Sequence, residues 1–332
     1  MSLGHAETRG FKRSTNVLFV RDARPIGRHS VHWHPYRVMR DNQAGLGSGP
    51  VPASRAGIGL ALGGGFARGF AHLGVLQVLE QNHIPISCIA GTSVGSILGA
   101  AYASGAPLAR IIATCRTLRF RDIGSWQVSR LGLASNHRLG DLVERVFDAK
   151  QFDDLRIPMA IVATDLNTGE PVVLTHGNLV DAIRASCAFP GLFEPVKIGT
   201  RCLADGGLVA PVPSRAAREM GAEFVLGVSV GVQDADRGSP SNIFQVVTRA
   251  VSAAQKHQLE VWERDTDLVL RPDVQSFAWD AFDRADEAIE AGAAVTRRAL
   301  SRIRKYLERA EVGSDGLQTD LQSALMLAEA TR

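Results

Sequence analysis

Ile58-Gly59-Leu60-Ala61-Leu62, Gly63-Gly64-Gly65-Phe66-Ala67-Arg68-Gly69, an apolar run from Phe70 to Leu79, Ile86-Ser87-Cys88-Ile89-Ala90 and Gly91-Thr92-Ser93-Val94-Gly95 follow one another near the start of this 332-residue chain. Short apolar runs bounded by glycine predict strands, and the stretch between them predicts a helix. Ser93 therefore stands between two glycines, Gly91 and Gly95, at a strand-to-helix junction. A turn that tight leaves little room for neighbouring side chains and pushes the serine hydroxyl out above the sheet, the address of a nucleophile. The glycine loop also ends a strand and opens a helix. Its backbone N–H groups and the positive helix end can face the same crevice as Ser93 and cradle negative charge.

Working outward, strands and helices alternate. The helix after Ser93 carries Val94, Ile97, Leu98, Ala101 and Tyr102 on one stripe and stops at Gly105 and Pro107. Leu108, Ile111, Ile112 and Cys115 mark a third helix. The segment from Arg116 to Arg138 mixes arginines with Trp126, Leu131 and Leu133, and reads equally as a lid, a membrane-facing cap or an ordinary surface excursion. A helix is expected over 139–147 and a strand over 157–164. Asp165 caps the turn Asn167-Thr168-Gly169, which closes a hairpin onto 171–174. A helix over 179–187 ends at Phe189-Pro190-Gly191, and an extended segment over 193–198 follows. A strand over 201–204 runs into Asp205-Gly206-Gly207, a carboxylate on a tight turn with backbone room around it. A helix over 213–220, a strand over 224–230 and a polar loop over 231–241 come next. Two long amphipathic helices close the pattern, one carrying Phe244, Val247, Val251, Ala254, Gln258 and Val261, the other spanning 285–307. This alternation predicts a single three-layer α/β domain, with a mostly parallel central sheet flanked by helices on both faces. Ligands then belong at the carboxyl ends of the strands, where the glycine motifs fall.

The domain is expected over 57–310, with a C-terminal tail over 311–332. Residues 1–56 are expected to form a basic, disordered arm: nine Lys/Arg stand against three acids with no sustained apolar period. An acid-poor, Arg-rich start is also shared by organelle transit peptides. His29, His32 and His34 beside Trp33 lack a partner set for a metal, and no metal site is expected. A formal net charge of +3 and the absence of nucleic-acid motifs exclude nucleic acid as a partner. Four scattered cysteines suit buried thiols in a reducing compartment, and no uncharged apolar run is long enough to span a bilayer. A cytoplasmic protein, with peripheral membrane contact, is the corresponding expectation.

The spacing Gly63-x-Gly65-x-x-Arg68-Gly69 invites a dinucleotide-binding reading. That reading requires an acid for the ribose at the end of the second strand, and here Gly91-Thr92-Ser93 stands there instead. A serine nucleophile needs a base. The chain order of α/β hydrolases offers His257 or His176, but His257 falls on the solvated face of a helix and His176 follows a hairpin strand. His72, in the first turn after the glycine loop, reads as a structural histidine bonded to backbone. A carboxylate in contact with the serine is an alternative base to either histidine, provided burial raises its pKa.

Gly63-Gly64-Gly65-Phe66-Ala67-Arg68-Gly69, Gly91-Thr92-Ser93-Val94-Gly95 and Asp205-Gly206-Gly207, in that order, resemble the patatin-like phospholipases, particularly the bacterial branch similar to the catalytic domain of neuropathy target esterase. The resemblance continues through Ala163-Thr164-Asp165-Leu166, through Ala185-Ser186-Cys187-Ala188-Phe189-Pro190-Gly191 and to Arg284-Ala285-Asp286, covering about residues 57–305. It implies a Ser93–Asp205 dyad without histidine or cofactor, acting on a lipid acyl ester through an acyl-enzyme. It also implies an oxyanion hole built from Gly63, Gly64, Gly65 and Gly69, with Arg68 adding positive character. Gly206 and Gly207 complete the aspartate turn. Phe66 stands where related sequences commonly carry a fourth glycine, which implies a narrower acyl entrance. A lipid-binding or regulatory protein that keeps the fold without hydrolysis is the alternative. The oligomeric state is left open.

Overall fold

The computed structural model describes residues 17–19, 57–127, 129–147, 149–231 and 239–329. Its strands are β1 (Val17–Phe19), β2 (Ile58–Leu62), β3 (Ile86–Thr92), β4 (Ser125–Trp126), β5 (Ala134–Ser135), β6 (Met159–Asp165), β7 (Pro171–Leu174), β8 (Val196–Ile198), β9 (Arg201–Asp205), β10 (Val225–Val228) and β11 (Leu268–Leu270). Its helices are α1 (Ala71–Gln81), α2 (Val94–Ala103), α3 (Leu108–Thr117), α4 (Phe120–Ile123), α5 (His137–Val146), α6 (Leu179–Ser186), α7 (Ser214–Glu219), α8 (Ile243–His257), α9 (Leu259–Glu263) and α10 (Ala285–Glu329).

The main sheet runs β1-β11-β10-β2-β3-β6-β9-β8, with β7 also on β6. Pairing is parallel from β11 through β10, β2 and β3 to β6, while β1, β7, β8 and β9 join antiparallel. The central strands are buried on both faces, which explains their unbroken apolar sequences. Their two faces differ in size. Leu60, Leu62, Ile89 and Ile161 point into a large core with α1, α2, α3, α5 and α10. Ala61, Cys88, Ala90 and Ala160 point the other way, against Ala216 and Ala217 of α7 and Trp262 of α9. Large residues on one side and small ones on the other fix which helices can approach, giving three layers.

Several expectations are corrected at their boundaries. Residues Phe66–Phe70 form a 3-10 turn before α1, so the glycine loop enters the helix through a tighter coil. The helix expected through Val261 breaks at Gln258 into α8 and α9. The strand β11 was not foreseen; three apolar residues are too short a run to declare themselves. Beyond Arg309 the backbone stays helical to Glu329, so the expected tail continues α10. Within the basic arm, Val17–Phe19 lies antiparallel on β11 as an edge strand. The rest of 1–56, including His29, His32 and His34, lies outside the described residues. All four cysteines are free thiols, Cys88, Cys115 and Cys187 buried. Among the described residues, no helix is long and apolar enough to cross a membrane.

Helices α1 and α10 cross at backbone contact. A Cβ on Gly74 would lie 1.8 Å from the Ile289 oxygen, and one on Gly292 would lie 1.9 Å from the Ala71 oxygen. Such a crossing tolerates no side chain at either position. Gly74→Val is expected to cost about 1–3 kcal/mol or more, read as a lowered melting temperature by circular dichroism.

Candidate active site

One edge of β6 builds the site. Its residues Met159 to Val162 pair with β3, the last rung being Thr92 opposite Val162. Its residues Ala163 to Asp165 pair with β9, the last rung being Asp205 opposite Ala163. Because β7 pairs with residues 161–164 of β6, it occupies the other edge, and β3 and β9 meet end to end on this one. The residue following Thr92 and the last residue of β9 are thereby brought to neighbouring rungs. They are Ser93 and Asp205.

Ser93 sits at φ 53° and ψ −125°, a left-handed conformation that a non-glycine residue adopts only when its surroundings enforce it. Those surroundings are specific. A Cβ on Gly91 would approach Ser96 Cα to 2.6 Å, and one on Gly95 would approach the Leu62 oxygen to 2.1 Å. The Ser93 N–H donates to Ser186 Oγ at 2.8 Å, and Ser186 Oγ donates in turn to the Val162 oxygen at 2.6 Å. Ser96 Oγ donates to the Ser93 oxygen at 2.6 Å. Helix α2 begins at the next residue, so its positive end underlies the serine.

Asp205 is buried. Its Oδ1 accepts the Gly207 N–H at 2.7 Å, and its backbone oxygen accepts the Thr164 hydroxyl at 2.8 Å. Gly206 packs against β6 so closely that a Cβ would fall 2.1 Å from the Val162 oxygen. Burial pushes the Asp205 pKa up to about 6, while hydrogen bonding from the Gly207 N–H and from the Ser93 side chain works the other way. The carboxyl thus becomes a far better base near neutrality than an exposed aspartate.

The glycine loop lies across from Ser93. A Cβ on Gly64 would sit 3.3 Å from Ser93 Cβ, one on Gly65 would meet Val230 Cγ2 at 2.7 Å, and one on Gly69 would meet Val94 Cγ1 at 2.4 Å. The Gly63 N–H donates to the Val228 oxygen at 3.0 Å and the Gly64 N–H to the Pro211 oxygen at 3.1 Å. Among the described residues the N–H groups of Gly65 and Phe66 donate to no other group. Gly63 and Gly64 therefore hold the loop in place, and the unpaired backbone donors of this turn among the described residues are those of Gly65 and Phe66. Phe66 has φ 54°, which turns the chain at that point. Arg68 is buried, lines the cavity and donates from Nε to the Gly65 oxygen at 3.2 Å, bracing the loop from within it. His72 is fully buried with Nε2 2.8 Å from the Gly63 oxygen; burial pulls its pKa down to about 4, so it is a neutral N–H donor at neutral pH. His176 and His257 are exposed, and among the described residues no histidine lines either cavity at Ser93.

Two cavities meet at Ser93 and Phe66. The wider, about 750 Å³, is lined by Gly64, Gly65, Arg68, Asp205 and Gly207, with Arg249 and Lys256 of α8 at its outer wall. The narrower, about 90 Å³, is almost wholly apolar and runs between α2, α3 and α5, past Val94, Ile97 and Leu98 to Ala101. The segment from Arg116 to Arg138 contributes Leu118 and Ile123 to that second wall. Asp165 caps its turn as expected, its Oδ1 accepting the Asn167 N–H at 2.9 Å. Three residues of the site were not singled out from sequence. Ser186 bridges Ser93 to β6, Gln255 donates to the Gly207 oxygen at 2.7 Å, and Trp279 packs edge-on to Phe66. Ser186 stands in the quoted stretch 185–191 without a role read for it, and Gln255 leaves a trace as a polar residue three before Gln258 on a mostly apolar helix face. Gln258 likewise donates to the Leu208 oxygen at 3.0 Å.

Residues 60–218 match the family model described as patatin-like phospholipase. An uncharacterized NTE family protein of Mycobacterium bovis is 36% identical over 183 residues, covering 54% of this chain and 50% of that protein. Patatin-like phospholipase domain-containing protein 6 of Mus musculus is 29% identical over 71% of this chain and 20% of its own length. Lysophospholipase NTE1 of Debaryomyces hansenii is 27% identical over 75% of this chain and 18% of its own length. The chain thus spans about half of the first relative and about a fifth of the other two. The matched residues begin in β2 and end in α7, enclosing the glycine loop, Ser93 and Asp205, so the segment that holds the candidate site is a patatin-like phospholipase domain.

Proposed function

We propose that this chain is a serine esterase that hydrolyses lipid acyl esters through a Ser93–Asp205 dyad and an acyl-enzyme. The observation that carries the reading is the shared edge of β6, which sets a strained serine beside a buried carboxyl in a cavity that, among the described residues, no histidine lines. Asp205 removes the Ser93 proton as Oγ attacks the ester carbonyl. The oxygen of the tetrahedral intermediate takes up negative charge facing the Gly65 and Phe66 N–H groups, which are fixed in advance by the bonds of Gly63 and Gly64. Asp205 returns its proton to the departing alcohol. Water, deprotonated by Asp205, then attacks the acyl-serine and regenerates the hydroxyl. The narrow apolar cavity suits the acyl chain, and the wider polar one suits the alcohol side of the ester.

Ser93→Ala and Asp205→Asn are each expected to lower turnover of a nitrophenyl ester by at least about a hundredfold, while His257→Ala leaves it unchanged. Fluorophosphonate labelling of Ser93 accompanies that assay; an unlabelled, inactive wild type would assign the fold to lipid binding without hydrolysis. The kcat/KM of the wild type is expected to rise with pH through an inflection near 6, as Asp205 loses its proton. A bell with a histidine limb removed by His257→Ala would overturn the dyad.

Stability follows with the opposite sign. The folded Asp205 holds its proton up to about pH 6, against an ordinary 3.8 when unfolded, so its contribution is present below that ordinary value and lost as pH rises through about 6. His72, whose folded pKa is lowered, acts inversely over nearly the same range, so the difference between variant and wild type is the informative quantity. Asp205→Asn is expected to melt higher than wild type at pH 7.5, by a stabilisation on the order of 2 kcal/mol, and the gap should close towards pH 4.

Ala101 lies two turns of α2 beyond Ser93, deep in the apolar cavity. Ala101→Phe is expected to cut hydrolysis of palmitoyl esters by about tenfold or more relative to butyryl esters, measured as a ratio of kcat/KM values.

A further inference from the structure

A run of aromatic contacts leads from the wider cavity out to the surface. Ring centroids of Trp126 and Phe120 lie 5.4 Å apart, those of Phe120 and Trp279 5.8 Å, and those of Trp279 and Phe244 4.9 Å. Trp279 and Phe244 line the wider cavity, and Phe66, edge-on to Trp279, stands in both. At each end of this run apolar side chains leave the protein. Trp126 is 69% exposed and Leu131 68% exposed on the β4–β5 hairpin, and Ile243, beside Phe244 at the start of α8, is 71% exposed. Isolated exposed apolar residues are ordinary, but these stand at the two ends of one aromatic run whose middle members line the wider cavity.

The hairpin segment is also strongly basic. Between residues 116 and 138 stand Arg116, Arg119, Arg121, Arg130 and Arg138, all exposed, against one acid, Asp122. Asp122 is itself engaged, accepting the Arg119 N–H at 2.8 Å, and Arg116 pairs with Asp286. A tryptophan and aliphatic tips suited to hydrocarbon, on a segment that also exposes five arginines, match the interface of an anionic bilayer in both polarity and charge.

We propose that the hairpin of residues 116–138 and the first turn of α8 form a docking face for an anionic lipid bilayer. Trp126, Leu131 and Ile243 insert, and Arg121 and Arg130 meet the headgroups. Docked this way, the cavity mouth opens against the membrane, and an acyl ester reaches Ser93 without crossing water. The face rests on the hydrolase reading only for the chemistry of what is extracted.

The test is cosedimentation of the full chain with vesicles of phosphatidylcholine alone and of phosphatidylcholine with phosphatidylglycerol, at low and high salt. Binding is expected to the second vesicle and to weaken with salt. Trp126→Ser with Leu131→Ser should reduce it at least about tenfold, and Arg121→Ala with Arg130→Ala by about thirtyfold. Both pairs should turn over soluble nitrophenyl butyrate like wild type, which checks that they fold; the arginine pair, wholly on the surface, keeps the test decisive if the apolar pair does not. Equal binding of wild type and variants, or binding indifferent to phosphatidylglycerol, overturns the proposal. A wild type that ignores vesicles but forms a dimer dissociated by the apolar pair assigns the face to a second copy and also overturns it. A wild type that binds vesicles yet takes no fluorophosphonate label leaves the docking face standing and sinks the hydrolase reading instead.

Discussion

The site depends on β6 carrying two strands on the same edge. From Met159 to Val162 it holds β3 in parallel, and from Ala163 to Asp165 it holds β9 antiparallel. Ladder hydrogen bonds allow only discrete registers, and slipping β9 by one residue would turn Asp205 to the opposite face. The neighbouring groups all refer to the same rungs. Ser186 bonds the Val162 oxygen and the Ser93 N–H, Gly206 presses on the Val162 oxygen, and Thr164 holds the Asp205 oxygen. A serine and an aspartate far apart in the chain are thus positioned by one backbone strand rather than by flexible side-chain reach.

That rigidity lets the protein hold two unfavourable conditions. Ser93 keeps a positive φ, and Asp205 is buried where ionisation is disfavoured. Each destabilises the fold, and each is offset by packing that a glycine-to-alanine change would break: Gly91 on Ser96, Gly95 on Leu62 and Gly206 on Val162. Strain stored at such positions is a mark of functional sites because random drift would relax it. The glycine loop follows the same logic. Two of its N–H groups, those of Gly63 and Gly64, are bonded to Val228 and Pro211, and fixing them presents the next two to the cavity.

Most of this was legible in the chain, for local reasons. Gly91-Thr92-Ser93-Val94-Gly95 declares its turn because only glycine fits beside a serine held there, and buried parallel strands declare themselves through unbroken apolar runs. Boundaries slipped where the local signal is weak. The 3-10 turn at Phe66–Phe70 and the break at Gln258 differ from a continuing helix only in hydrogen-bond partners, and β11 is too short to carry a pattern. The expectation that Gly64 donates to the oxyanion met a contact with Pro211, more than a hundred residues away, that no local pattern encodes.

The sequence by itself determined the three-layer class of the fold and the turn that displays Ser93, since each rests on the backbone freedom or apolar period of a few adjacent residues, while Asp205 became a candidate only through the resemblance carried by three motifs in order. Only the tertiary structure decided that Asp205 lies beside Ser93 with a raised pKa, which N–H groups of the glycine loop lack a partner among the described residues, and that Trp126, Leu131 and Ile243 stand exposed. Burial, register and the partner of a hydrogen bond are properties of segments distant in the chain that meet when the sheet closes, and they have no value until it does.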